Sequence, residues 1–174
     1  MSATNRTRTD ILMRLEPYWK MEAANAILMP VMILFLSKGQ VSWISLVPMA
    51  AMVLLLVIGA LYWRGKVRQL KGQTKGWSCL LMAIARLKLP ALVLVLAGCM
   101  TALAGWIGAD LPIGTADRWA ATGSAALAVL EYVNYYHRQV QHFDNKADFK
   151  RMMAGKGFRP SWMARDLADL RRKG

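Results

Sequence analysis

Four long apolar stretches broken by short polar intervals dominate the chain: Tyr18–Ser37, Val41–Trp63, Leu89–Ala109 and Trp119–His137. Each holds roughly the 20 residues that a helix needs to cross about 30 Å of hydrocarbon. The pattern predicts an all-α, polytopic membrane protein with four transmembrane helices. Ahead of the first span, residues 1–17 form a basic arm. Thr9 is placed there to cap a short helix carrying Ile11, Leu12 and Leu15 at helical spacing, with Pro17 to end it. The stretch 77–87 is apolar but too short to span, and Arg86 and Lys88 close it. Pro90 biases Leu89 away from helical geometry, so this stretch is expected to form a separate interfacial helix. Pro30 and Pro48 fall inside spans one and two and read as packing kinks. Beyond the four-helix unit, 18–142, lies a basic helical tail, 143–174. A helix over Phe143–Ala154, a turn at Gly155-Lys156-Gly157 and a last helix over Trp162–Arg172, capped by Ser161, are predicted there.

Charge gives the spans a direction. Arg6, Arg8, Arg14 and Lys20 precede or edge the first span, and Lys38 alone lies between spans one and two. Arg64, Lys66, Arg68, Lys71, Lys75, Arg86 and Lys88 lie between spans two and three, and Arg118 alone between three and four. Ten Lys or Arg follow span four, against four Asp. Cytoplasmic loops carry the excess of Lys and Arg, so both termini are expected in the cytoplasm and the protein in the inner membrane. The aromatics agree: Trp19, Trp63 and Trp77 fall at inner boundaries, and Trp43, Trp106 and Trp119 at outer ones. The first span ends in Leu36-Ser37-Lys38-Gly39-Gln40, without a small-x-small cleavage site, and reads as uncleaved. The same asymmetry explains how 56% hydrophobic residues coexist with a net charge of +13.

Small residues recur at three- and four-residue steps in span three (Gly98, Ala102, Gly105, Ala109) and span four (Ala120, Ser124, Ala128). Such stripes let helix backbones approach closely, so these spans are expected to pack together, against a second copy or against a protein partner. Span two, bulky with Leu54, Leu55, Leu56, Val57 and Ile58, is expected to face lipid. The tail, with Trp162, Met163, Leu167 and Leu170 among its charges, is expected to lie on anionic headgroups or dock against the bundle ends or a partner. Its two helices around a glycine turn also fit a helix-turn-helix, but nucleic acid is not the expected partner.

Cys79 and Cys99 are 20 residues apart, on the order of 30 Å along a helix, so no bridge and no redox-carrier role is expected. His137 and His142 lack a matching ligand set, and no phosphate loop, nucleophile elbow or HExxH motif occurs. Neither a metal nor a cofactor is expected.

The candidate chemistry sits where spans one and four meet the cytoplasmic boundary. Span four ends with Glu131, Asn134, Tyr135 and Arg138 on one helical stripe, and span one opens with Glu22 and Asn25 at comparable depth. Together with His137 and Arg86 these residues are expected to form one polar pocket opening inward. A carboxylate about 10 Å inside the boundary is costly, and usually faces the bundle interior, a water cavity or a partner. Pairing of Glu131 with Arg86 or Arg138 would make the cluster structural instead. Three functions follow: a structural or accessory membrane subunit, which the small size and tiny outer loops favour; a small proton-coupled transporter using Glu131; or an enzyme acting on a lipid-like substrate, with Glu131 and His137 as acid and base.

Overall fold

In the computed structural model, which describes residues 3–108, 113–139 and 158–173, helices account for all regular structure apart from one isolated bridge between Arg138 and Pro160. They are α1 (Ala3–Leu36), α2 (Trp43–Leu70), α3 (Trp77–Ile107), α4 (Thr115–Tyr136) and α5 (Trp162–Lys173). Three of them contain segments long and apolar enough to cross a membrane: Ile11–Leu36, Trp43–Leu70 and Trp77–Ile107. With 22 residues α4 has the length. Its alanines, Ser124, Glu131, Asn134 and three tyrosines dilute its apolarity below that of its neighbours. The predicted tail helix at 143–154 and the turn at 155–157 lie outside the described residues.

Two expected breaks do not occur. The α1 helix runs from Ala3 through Thr9 and Pro17, so no helix begins at Thr9 and the arm is continuous with span one. Likewise α3 runs through Pro90, making 77–87 its opening turns and not a separate interfacial helix. A proline costs a helix one hydrogen bond and a local clash. Leu81 and Ile84 before Pro90, and Ala91 and Val95 after it, are buried in the same core, and that packing holds the helix together across the proline.

The helix at the centre is α2, which packs against α1, α3 and α4. Ile44, Ala51, Met52, Leu55, Leu56, Ile58 and Tyr62 are all buried on it. This corrects the expectation that its bulky residues face lipid. Leucine in a bilayer gains no hydrophobic energy by moving from lipid to protein, so bulk alone does not choose the side, and close packing does. The small residues of α3 receive α2: a methyl at Gly98 would lie 2.9 Å from Pro48 Cα, and one at Gly105 would lie 3.1 Å from Ile44 Cγ2. Contact of α3 with α4 is also present: Trp106 donates its indole N–H to Thr122 Oγ1 at 2.9 Å and stacks edge-on with Trp119. Cys79 and Cys99 are both free.

At the end of the bundle away from α5, the start of α4 caps the start of α2. The Ser42 backbone N–H donates to both Asp117 carboxylate oxygens at 3.2 Å, and Ser42 Oγ accepts from the Ile44 N–H. Asp117 is only 3% exposed. Asp117→Ala removes this acceptor from a helix N-terminus, where a carboxylate is favoured. A loss of about 1 kcal/mol is expected, read as faster amide exchange over Trp43–Leu46; unchanged exchange would show that Asp117 does not hold this end.

Candidate functional site

The candidate residues converge at the α5 end of the bundle, where the middle of α1 meets the last turns of α2 and α4. Glu22, Glu131, Asn134 and Tyr135 are all buried. The Glu22 carboxyl interacts with the Glu131 carboxyl and with the hydroxyls of Tyr135 and Tyr18. Tyr135 is seated by Gly59: a methyl there would overlap the tyrosine hydroxyl and ring, so α2 must carry glycine for α4 to bring this hydroxyl beside Glu22. On its other side, the Tyr135 carbonyl accepts from Ser161 Oγ, which also accepts from the Ala164 N–H and so caps α5 as predicted.

Three other expected members are elsewhere. The stripe on α4 ends at Tyr136, because the chain turns away at His137. His137 and Arg138 are exposed; the His137 ring lies 5.6 Å from that of Tyr132, and Arg138 Nη1 donates to the Phe158 carbonyl. Arg86 is exposed on α3. Asn25 is half-buried, nearly one turn beyond Glu22.

Beside the carboxylates lies a cleft of about 830 Å³, walled by Ile11, Leu15, Tyr18 and Met21 from α1, Tyr62, Trp63, Lys66 and Leu70 from α2, Asn134 and Tyr135 from α4, and Trp162 and Met163 from α5. Its walls are mostly apolar, with a few convergent polar groups, the composition of a small-molecule site. Tyr135 belongs to both features, lining the cleft and lying beside Glu22. The indole N–H of Trp63 is buried with no acceptor among the described residues.

The cleft is closed on one side by an ion pair that no sequence pattern flagged. Lys66 Nζ donates to both Asp166 oxygens, at 2.9 and 2.7 Å, and Tyr62 Oη donates to Oδ2 at 2.7 Å. The Lys66 ammonium also lies 5.4 Å from the Trp77 ring centroid and 5.8 Å from that of Trp162. Lys66 reads as one more loop cation by sequence, yet it is 8% exposed. The available signal was Tyr62 and Lys66 at i, i+4, one face of a helix. The apolar face of α5, Met163 and Leu167, is buried in the main core, so the tail helix docks on the bundle ends.

Compared with protein-family models, with curated proteins and with solved structures, the chain matches none, and the activity of the site has to be read from its own geometry.

Proposed function

We propose that this chain is a four-span inner-membrane protein with cytoplasmic termini, in which Glu22 and Glu131 form a proton-linked site serving an amphiphile bound in the adjoining cleft: a small proton-coupled transporter. The observation that carries this reading is the buried Glu22–Glu131 pair reaching the cleft through Tyr135. Two carboxylates out of water repel when both are ionised, and a cation relieves that repulsion. A proton is the smallest such cation. Tyr135 transmits the change, since its hydroxyl senses the carboxylates while its ring forms part of the cleft wall.

The four-span arrangement is supported by the way α4 is held. Near its start Asp117 caps α2, and near its finish Tyr136 Oη donates to the Ile84 carbonyl of α3, so it runs the height of its neighbours. The inward orientation is supported by the loop charges.

The test is ligand binding by the purified chain in detergent, read from the fluorescence of Trp63 and Trp162 as amphiphilic dyes are titrated at several pH values. One linked proton changes affinity by up to about tenfold per pH unit. Glu22→Gln and Glu131→Gln should each flatten that dependence and abolish proton uptake in a pH-gradient flux assay. PH dependence and flux equal to wild type in both variants would sink the transporter reading.

A structural-subunit reading is favoured by one observation, the exposed outer face of α1. Ile27, Leu28, Val31, Phe35 and Leu36 are all more than half exposed. Lipid covers such a face adequately, and a partner helix would too. Recovery of the chain as a lone monomer after crosslinking in membranes would remove this reading.

A further inference from the structure

We propose that the turn joining α2 to α3 binds the phosphate of a membrane phospholipid, at a site separate from the cleft and resting on the membrane-spanning reading alone. A cavity of about 290 Å³ opens there, into which Arg64, Arg68 and Lys75 converge with no acidic residue in its lining. The nearby Lys71 is neutralised by Glu16 at 3.1 Å, whereas no described carboxylate pairs with those three cations. Two of them are held in place: Arg68 Nε donates to Gln73 Oε1 at 3.3 Å, and the Arg64 guanidinium lies 5.6 Å from the Trp19 ring centroid.

Gly65 fixes the close approach of the two helices beside the cavity. A methyl there would lie 2.5 Å from Leu80 Cδ2 and 3.0 Å from Trp77 Cζ3, so α3 begins tight against α2 and the loop cations arch over the contact. Leu61, Trp77 and Leu80 line it beside the cations. Apolar, aromatic and cationic groups thus meet in one lining, as the acyl chain, interface and phosphate of a phospholipid require; a site for free phosphate has no use for the apolar side chains. The last turns of α2 divide the two sites: residues 62, 63, 66 and 70 face the cleft, and 61, 64, 65 and 68 face this cavity.

The experiment is native mass spectrometry of the full chain, released from phosphatidylcholine nanodiscs doped with phosphatidylglycerol. Wild type should retain phosphatidylglycerol. Removing Arg64, Arg68 or Lys75 by substitution with Gln should weaken retention about fivefold each, the effect of roughly 1 kcal/mol per surface cation. The triple variant should lose it. All three positions are exposed, so the fold should persist. A charge-matched control, Arg171→Gln with Arg172→Gln and Lys173→Gln, separates a local site from bulk attraction and should retain the lipid. Equal retention in the triple variant, equal loss in the control, or displacement of the lipid by millimolar inorganic phosphate would each overturn the proposal.

Discussion

Asp166→Ala should release α5 from the bundle. The substitution leaves the Lys66 ammonium and the Tyr62 hydroxyl, both buried, without their shared acceptor. Breaking a buried ion pair by deleting one partner costs about 3–5 kcal/mol. The side chains here retain 10% and 18% exposure, which places the expected cost toward the lower end of that range. Against it stand Met163, Leu167 and the Ser161 cap, on a 12-residue helix that is marginal by itself in water. Limited trypsin digestion reads the outcome: cleavage after Arg165 and Arg171 should accelerate strongly in the variant. The triple change Tyr62→Phe, Lys66→Met and Asp166→Leu replaces all three polar partners by apolar groups of similar reach, and should restore protection. Cleavage of Asp166→Ala at the wild-type rate would show that the ion pair does not hold α5.

Gly59→Ala should be the most damaging single methyl in the protein. The added carbon would overlap the Tyr135 hydroxyl and ring, and the Tyr135 backbone carbonyl is held by Ser161 Oγ. Overpacking a tight core typically costs about 1–3 kcal/mol. The expected result is a clear loss of resistance to thermal unfolding in detergent, together with loss of the coupling between pH and ligand affinity. Because the nearest atom is the hydroxyl oxygen, Tyr135→Phe in the Gly59→Ala background should recover part of the stability. A double-mutant cycle would then report an interaction between two residues 76 positions apart. Strict additivity would mean that Tyr135 does not sit on Gly59.

Hydrophobic run length revealed the helical class and the placement of α2 because a span must be both long and apolar, and both properties are local. The same locality explains the errors. Pro17 and Pro90 carry a strong local signal for a break, and nothing nearby in the sequence announces that Leu81, Ile84, Ala91 and Val95 share one core. Leu55 and Ile58 look the same whether lipid or protein surrounds them, so their burial was not legible. Glu22, Glu131, Asn134 and Tyr135 converged as the depth argument required, since two spans crossing in opposite directions bring equal depths together. Arg86 and Arg138 were assigned by the same argument and missed, because depth fixes height but not the direction in which a side chain points. The pairing of Lys66 with Asp166 joins residues 100 apart through a segment of unremarkable composition, and only the fold brings them together.

The central position of α2 bears on how the protein is made. As the chain enters a membrane, α2 follows α1 directly, before any of α3 or α4 exists, and most of the surface that α2 eventually buries must wait for them. An aqueous core helix could not wait in this way without aggregating. In lipid, the same Leu, Ile and Val side chains are solvated on every side, so the early α1–α2 hairpin is a tolerable resting state. Glu22 and Lys66 are the exceptions within that hairpin. Their partners Glu131, Tyr135 and Asp166 are synthesised later, so segments that follow α3 complete the polar end of a bundle whose apolar centre was laid down first.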